Sequence, residues 1–401
     1  MSRPQSLTLE STPPGEALGQ IVATASAAAR IHPKGRIVKT KKAAALCAVV
    51  GVALAGLVVA APAANADPVS NSYVLAGSDT LQDAANALAN GTTITGVSVR
   101  VSSALGSIAS YDAFGGAAIQ TKSGGPYFAR PAGSGDGVKA LSRSIDGGQF
   151  SVSGNLTPAT AITGQVDIAR SSSGPGANAN TSGPLAYIPF GRDAVSYAIA
   201  PGTTTGLEQL SAAQLQQIYN CTLTSVNGVA ISPVLPQSAS GTRKFFLAAI
   251  GVTTPGACVN QSTLPENDGT VLSSAGQIIP FSVASWVAQK TGAAQNRTGT
   301  AVLGSAEGAT VPYTGTGSSI VPNAAYYSDS TWGRDTYVVV EFARINTASP
   351  TYDAALAALV DPTKAKSLTN FGTLASTSGA VKTKFGFLAP SSSTIIRANL
   401  S

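Results

Sequence analysis

The feature that most constrains the fold is a junction that occurs four times, where a short apolar segment ends in a polar loop. The four loops are Ser78-Asp79-Thr80, Ser134-Gly135-Asp136, Arg170-Ser171-Ser172 and Ser240-Gly241-Thr242. At least three of them lead into the apolar periodicity of a helix. Strands that alternate with helices through such loops predict an α/β fold, in which ligands bind beyond the carboxyl ends of the strands.

The loop within Gln237–Phe246 has the clearest chemistry. A Pro-rich extended segment precedes Ser240-Gly241-Thr242, and an apolar helical pattern follows. A helix N-terminus offers unpaired N–H groups and partial positive charge, so it favours anions. Gly241 lets a ligand approach the backbone, and Arg243 and Lys244 add positive charge. Ser-Gly-Thr is also a common helix cap, so this loop alone leaves both interpretations open.

The remaining pattern predicts the elements around these loops. Strands are expected at Tyr73–Ala76, Thr93–Ser103, Val166–Ala169 and Tyr337–Phe342, with Ser78 as the N-cap of a helix that ends at Asn90-Gly91. Two apolar segments, Leu185–Ala200 and Ile278–Ala288, are interpreted as extended crossings between two lobes. The predicted boundaries are 67–192 with 290–401 for the first lobe and 193–289 for the second.

Residues 1–66 predict an export signal. Lys39, Lys41 and Lys42 precede an uncharged apolar run at Ala43–Ala64, which ends in an Ala-Asn-Ala cleavage motif before Asp67. An uncleaved anchor stays open as an alternative, because the run is long enough to span a bilayer. We expect a secreted or periplasmic protein that is exported by a Sec-type signal.

Two further expectations concern the same region. The basic segment is remote from Met1, which is the only methionine, so translation is expected to start near Val38. Leu46 precedes Cys47 where a lipoprotein signal needs a small residue, so no lipid anchor is expected.

The cysteines and the histidine restrict the chemistry. With the signal removed, Cys221 and Cys258 remain, and two cysteines in an exported chain predict a disulfide. The only histidine, His32, lies before the cleavage point, which excludes Ser-His-Asp and Cys-His catalysis and histidine-based metal sites. We therefore predict a protein that is not an enzyme and needs no metal or cofactor.

The net charge of +6 comes mostly from the signal region. The first 66 residues hold seven of the 25 Lys and Arg but only two of the 19 Asp and Glu, which leaves 18 basic and 17 acidic residues. A nearly neutral remainder without a basic tract argues against a nucleic-acid partner.

Together, these loops resemble those of type II periplasmic solute-binding proteins, most closely the phosphate-binding component of phosphate ABC transporters. The resemblance covers residues 70–400, and its specific pieces are Gly77–Thr80, Gly133–Lys139, Val166–Ser172 and Ser240–Thr242. It implies two lobes, each a mixed sheet flanked by helices, joined by two hinge crossings. It further implies a monomer that clamps a small phosphate-like anion between the lobes, for uptake or scavenging, with an ABC permease as a partner.

The resemblance also assigns candidate site residues. Thr80 and Leu81 correspond to family residues of the first loop that contact the ligand. Ser134 corresponds to a residue whose hydroxyl donates to the ligand, and Ser240-Gly241-Thr242 corresponds to the backbone nest that binds the anion. The predicted ligand-binding set is Ser78, Thr80, Leu81, Ser134, Arg170, Ser172, Ser240, Gly241, Thr242 and Arg243.

Two positions depart from the family pattern. Ser172 stands where the family usually has an Asp that accepts the phosphate proton, and Pro236 stands where it has an Arg. Arg170 and Arg243 lie nearby in sequence and are predicted to supply the charge, with Arg243 as the residue to test first.

Two other functions stay open. One is a surface or wall protein that keeps the fold with an altered or lost ligand. The other is a secreted serine hydrolase with Lys139 or Lys244 as base, although neither forms a Ser-x-x-Lys arrangement with these serines. Arg334 and Asp335 are interpreted as a solvated pair, and Asp79 as a capping residue.

Overall fold

The computed structural model describes residues 67, 69, 72–102, 106–202, 206–261, 264–308 and 310–401. They belong to one compact unit, Asn65–Ser401. The signal and the start site predicted for residues 1–66 lie outside the described residues. In the described part of the chain, no helix combines the length and the apolarity needed to cross a bilayer.

A mixed sheet occupies the centre of this unit. The strands of the described residues are β1 Tyr73–Gly77, β2 Ile108–Ser110, β3 Ala118–Ile119, β4 Phe128–Ala129, β5 Gln149–Phe150, β6 Thr160–Ala161, β7 Ile168–Ser171, β8 Leu185–Ile199, β9 Ser225–Val226, β10 Val229–Ala230, β11 Ser232–Pro233, β12 Gln277–Ser282, β13 Val302–Leu303, β14 Tyr313–Thr314, β15 Val321–Pro322, β16 Gly333–Glu341 and β17 Ile396–Ala398. The main path of the central sheet runs β11-β12-β8-β16-β7-β1-β2, and β13 and β17 also pair with β8.

Helices flank this sheet, which confirms the predicted α/β class. They are α1 Gln82–Asn90, α2 Ser134–Asp146, α3 Ala212–Tyr219, α4 Gly241–Ala249, α5 Val283–Thr291, α6 Ala324–Ser328, α7 Phe342–Ile345, α8 Ala354–Val360 and α9 Ser378–Lys384. Short 3₁₀ turns lie at Gly176–Asn178, Gly269–Val271 and Gly317–Ser319.

The 15-residue strand β8 connects the parts of the sheet. All but one of its residues are buried, which explains the mostly apolar segment that predicts it, although Arg192 and Asp193 lie inside that segment. It is antiparallel to both β12 and β16. The pairing with β16 shifts register between Thr336 and Tyr337, so Phe190 of β8 is the extra residue of a bulge.

Three hydrophobic clusters pack around the sheet. One consists of residues between 194 and 332. The other two lie on opposite faces of β1, β7 and β16, because alternate residues such as Leu75 and Val74 point to opposite faces. The lobe boundaries at 192/193 and 289/290 stay a prediction.

Three local predictions are wrong. Ile278–Ala288 is not one extended segment, because β12 ends at Ser282, whose hydroxyl accepts the Ser285 N–H and caps α5. Thr93–Ser103 forms no strand in its described part, where a turn at Gly96 leaves one isolated bridge between Thr92 and Val99.

The third concerns Ser78, which is not an N-cap. Helix α1 begins at Gln82, with Leu81 in the N-cap position. The predicted helix end at Gly91 and the Cys221–Cys258 disulfide are both confirmed.

Candidate functional site

The N-terminal ends of helices α2 and α4 are in contact. The Gly135 N–H donates to the Ala239 carbonyl at 3.1 Å. The Ser134 hydroxyl accepts the Ser172 N–H at 2.9 Å and lies 3.1 Å from the Ser172 hydroxyl oxygen. A Cβ atom on Gly241 would lie only 2.3 Å from Ser172 Oγ and 2.4 Å from Ser134 Oγ. Three of the four predicted loops therefore touch one another.

The fourth loop, after β1, also reaches this point. Thr80 Oγ1 lies 3.4 Å from Thr242 Oγ1, and both residues are buried. Hydroxyl groups from sequence positions 162 residues apart thus face each other across the junction.

Several hydrogen-bond donors here have no protein acceptor. Ser240 caps α4 by accepting the Arg243 N–H at 2.9 Å, but no described residue accepts the N–H groups of Gly241 or Thr242. The Ser78 hydroxyl is fully buried and has no partner among the described residues. Since buried donors are nearly always satisfied, this cluster indicates a place where a ligand supplies acceptors.

Arg334, at the start of β16, is a buried cation of this site. Its side chain is 2% exposed, and its Nη2 donates to Asp193 Oδ2 at 2.8 Å and to Thr242 Oγ1 at 2.9 Å. Its Nη1 is buried and has no partner among the described residues. The interpretation of Arg334 and Asp335 as a solvated pair is wrong, because Asp335 pairs instead with Arg192 at 3.2 Å.

The sequence contains a signal for the ion pairing of Arg334. The tripeptide Gly-Arg-Asp occurs twice, at Gly191–Asp193 in β8 and at Gly333–Asp335 in β16. The antiparallel register places Arg334 opposite Asp193 and Asp335 opposite Arg192, so each arginine of one copy pairs with the aspartate of the other. Charged residues inside two apolar strands indicate a buried ion pair, since an unpaired buried charge is too costly.

The Asp193 carboxylate forms an ion pair and several hydrogen bonds. Besides Arg334, its carboxylate accepts the Ser282 hydroxyl at 3.0 Å and the Ala284 N–H at 2.9 Å. These bonds link β8 to the junction of β12 and α5. The guanidinium of Arg334 is therefore fixed by two strands and one helix start.

Arg170 contacts the protein rather than the open side of the loops. Its buried guanidinium donates to the carbonyls of Ser78 and Tyr111 at 2.9 and 2.6 Å, and to the Ser110 hydroxyl at 2.8 Å. Burial lowers the pKa of Arg170 to about 10. Arg170 thus holds the Ser78 loop in place.

Arg243 points away from Thr242. Its Nη1 donates to the Pro236 carbonyl at 3.0 Å and its Nη2 to Gln261 Oε1 at 2.6 Å. Leu81 is fully buried in a hydrophobic cluster, so only its backbone is available to a ligand.

An acidic pair adjoins the site and was not among the predicted residues. Glu266 is 2% exposed, and its Oε2 accepts the Thr80 hydroxyl at 3.4 Å. Asp79 accepts the Asn267 side-chain N–H at 3.2 Å. Burial, followed by the nearby charge of Glu266 and a hydrogen bond with it, raises the pKa of Asp79 well above its ordinary value. The side chain of Asp79 is therefore part of this cluster and not a helix cap.

Comparison with known proteins finds similarity in structure alone. No family model matches the sequence, and no curated protein matches it. A phosphate transport receptor of the ABC type from Vibrio cholerae aligns with a TM-score of 0.46 and 13% identity, covering 80% of this chain and all of that chain.

Two further solved structures align in the same way. A phosphate ABC transporter substrate-binding protein from Clostridium perfringens, with bound phosphate, has a TM-score of 0.44 and 13% identity over 72% of this chain and 93% of its own. A periplasmic phosphate-binding protein of the DING type has a TM-score of 0.46 and 13% identity over 80% of this chain and 91% of its own. In fold, the chain is similar to solved phosphate-binding proteins of these two kinds.

Proposed function

We propose that this protein is a secreted solute-binding protein that holds a phosphate or a similar tetrahedral oxyanion between its helix-opening loops. The observation that carries the proposal is the Arg334 guanidinium, whose Nη1 is buried and unpaired beside Thr242. A buried cation with a free N–H, next to the start of a nine-residue helix, attracts an anion by charge and by hydrogen bonds.

The energetics support an oxyanion in particular. Leaving a buried donor unsatisfied costs about 1–3 kcal/mol, and here the hydroxyl of Ser78, the N–H groups of Gly241 and Thr242 and one Arg334 nitrogen have that status. These donors come from two loops and one strand, which suits a compact ligand with acceptor oxygens on several sides. Phosphate, arsenate and a phosphate ester all present such oxygens.

Binding would be coupled to movement of the loops. In the closed arrangement Thr80, Ser134 and Gly241 touch residues of the facing loops, so a ligand enters only when those loops separate. Hinge motion about the crossing strands is the ordinary means of such opening. Uptake through an ABC permease or scavenging outside the cell would both use this cycle.

In the serine hydrolase alternative, Lys139 is not placed to act as the base. Lys139 Nζ donates to the Ser151 carbonyl at 2.8 Å and lies over the Phe150 ring, with no contact to Ser134. The alternative in which the fold has an altered or lost ligand is an outcome of the experiment below.

The proposal is tested by isothermal titration of the purified protein with phosphate, arsenate, sulfate and a phosphate monoester. We expect phosphate or its analogues to bind, and Arg334→Gln to weaken binding at least tenfold. Arg243→Gln serves as the matched comparison, because its guanidinium contacts only Pro236 and Gln261 in the described structure, and it should change the affinity less than threefold. If no anion binds at millimolar concentration, the proposal is wrong.

A further inference from the structure

The two Gly-Arg-Asp segments lie where the hydrophobic packing of the sheet is interrupted. In β8, the apolar residues from Leu185 to Phe190 belong to the clusters around β1, β7 and β16, and those from Ala194 onward belong to the cluster between 194 and 332. Residues 191–193 of β8 and 333–336 of β16 belong to none of these clusters of the described chain. Both strands therefore pass from one packed region to another through a polar segment.

The C-terminal segment passes along this interruption. Residues 382–391, which we call the strap, begin at the end of α9 and lead toward β17, which pairs with the first residues of β8. Lys382 is fully buried, and its Nζ donates to the carbonyls of Phe190 and Leu368 at 2.5 and 2.9 Å. Phe190 is the bulge residue of β8, so the strap is fixed to that strand immediately before Gly191.

The middle of the strap contacts the other packed region. The Gly386 carbonyl accepts the Tyr327 hydroxyl at 2.8 Å, and Tyr327 belongs to the cluster between 194 and 332. Leu388 packs against the same cluster and exchanges two backbone hydrogen bonds with Arg192, at 2.8 and 3.0 Å. The strap is therefore a further segment, besides β8 and β16, that joins the two packed regions.

The end of the strap reaches the second Gly-Arg-Asp segment. Ser391 donates its N–H to Asp335 Oδ1 at 2.9 Å and its hydroxyl to Asp335 Oδ2, and Asp335 is also paired with Arg192. Neighbouring residues of a strand point to opposite faces of a sheet. Asp335, with Ser391 bonded to it, therefore faces away from the side on which Arg334 meets Thr242.

We propose that the strap sets how firmly the loops close on the anion, with Ser391 and Asp335 as positioning residues behind the site. This inference rests on the proposed function. Opening of the loops requires β8 and β16 to bend, and bending is easiest where the apolar packing is interrupted. The strap is bonded to both strands at that place in the closed arrangement. Loss of its bond to Asp335 should therefore shift the population toward the open state and weaken binding.

The strap has room to shift against β8. A pocket of about 250 Å³ is lined by Pro189 of β8, by Phe371 and by Pro390 of the strap. Residues 391–395 are exposed. Because protein interiors are otherwise closely packed, a pocket at this place allows the strap to move without displacing core side chains.

Ser391→Ala and Asp335→Asn test the proposal by calorimetric titration of the purified protein with inorganic phosphate. Each should weaken phosphate binding at least threefold, although neither residue contacts the proposed anion position. The double variant should be no weaker than the weaker single variant, because both changes remove the same contact. Ser393→Ala is the matched control, because the exposed Ser393 hydroxyl contacts no described residue of β16, and it should stay within twofold of the original affinity.

Small-angle X-ray scattering separates a shift in closure from a damaged fold. Without phosphate, the Ser391→Ala protein should have a larger radius of gyration than the original protein. Saturating phosphate should return the variant to the compact value of the original protein. A variant with a merely damaged fold would not recover this value.

Different results separate the two proposals. If Ser391→Ala and Asp335→Asn both match Ser393→Ala in affinity and in scattering, this inference is wrong although an anion site exists. If Asp335→Asn does not fold, the exposed Ser391→Ala decides alone. If the original protein binds neither phosphate nor the other three anions, the proposed function fails and this inference fails with it.

Discussion

The Thr242 side chain contacts both Thr80 of the facing loop and Arg334 of β16. Its hydroxyl lies 3.4 Å from that of Thr80 and accepts from Arg334 Nη2 at 2.9 Å, and the residue is fully buried. Loss of this hydroxyl would leave one of the two N–H groups of Arg334 Nη2 without its acceptor, while the other keeps Asp193. The Thr242 hydroxyl therefore positions the Arg334 guanidinium, and the backbone N–H of Thr242 faces the proposed anion.

We predict that Thr242→Val weakens phosphate binding about tenfold or more, because valine keeps the shape but removes the acceptor of Arg334. Thr242→Ser keeps the hydroxyl and should stay within about threefold of the original affinity. Calorimetric titration of the two variants measures the difference. Equal affinity of both variants would show that the hydroxyl takes no part in binding.

The residues of the candidate site differ in how far the sequence predicts them. Thr80, Ser134, Gly241 and Thr242 could be predicted because a helix start is a local feature. The repeated Gly-Arg-Asp indicates only that Arg334 has an acidic partner. Its partners Asp193 and Thr242 lie 141 and 92 residues away, and it takes the register of β8 with β16 and the position of α4 to bring them together.

At the scale of elements, the contact of α2 with α4 depends on a missing side chain. Gly241 opens α4 where Ser134 opens α2, and a Cβ at Gly241 would overlap the hydroxyls of Ser134 and Ser172. The close approach is possible only with glycine at this position. The two helix starts can therefore direct their N–H groups to one point.

Gly241→Ala is accordingly expected to hold the loops apart and to weaken phosphate binding by at least tenfold. The double variant Gly241→Ala with Ser172→Gly removes one of the two overlaps and should recover part of the affinity. Titration of both variants with phosphate measures the affinity, and thermal unfolding measures their stability. The two measurements together distinguish a variant whose loops do not close from one that does not fold. An affinity that is unchanged by Gly241→Ala would mean that these helix starts do not close on the ligand.

The segment that carries α4 is also constrained covalently. The Cys221–Cys258 disulfide closes a loop with a sequence separation of 37, and this loop contains Ser240–Arg243. In the chain-entropy model such a loop stabilises the folded state by roughly 4 kcal/mol. We predict that the double variant Cys221→Ser, Cys258→Ser loses about 2–4 kcal/mol of unfolding free energy in denaturant titration.

The control for this variant is the original protein under reducing conditions. Reduction should lower its stability to about the level of the double variant. If reductant and the double variant both leave the unfolding midpoint unchanged, the disulfide does not stabilise this loop.

Element types were predictable where pattern and length agreed. The long buried segment of β8 is a strand as predicted, whereas Ile278–Ala288 is equally apolar and divides into β12 and α5 at Ser282. A short apolar run does not by itself distinguish a strand from a buried helix. The capping serine within that run was the signal for the change.

For the whole molecule, we expect Asp79 to make folding dependent on pH. Because the pKa of Asp79 is raised by burial and by Glu266, the folded state binds more protons than the unfolded state between the ordinary and the raised value. The stability of the folded state is therefore greatest at low pH with respect to this group and falls as pH rises through that window.

We predict that Asp79→Asn flattens this dependence. Chemical unfolding of the original protein between pH 5 and 8 should show a loss of stability with rising pH that is smaller in the variant. A carboxylate in an ordinary ion pair, such as Asp353 with Arg344, has the opposite effect on folding stability. The pKa of Asp353 is lowered despite its partial burial, so its contribution is present at higher pH and is lost as the pH falls. An identical pH profile for the original protein and the variant would contradict the assignment.

We propose that a tetrahedral oxyanion lies between Arg334 and the start of α4. A crystal structure with bound arsenate tests it most directly, because the anomalous signal of arsenic locates the anion without interpretation of shape. We predict arsenic within hydrogen-bonding reach, through its oxygens, of Arg334 Nη1 and the N–H groups of Gly241 and Thr242. Arsenic at another place, such as beside Arg243, or no arsenic at saturating concentration, would contradict the account.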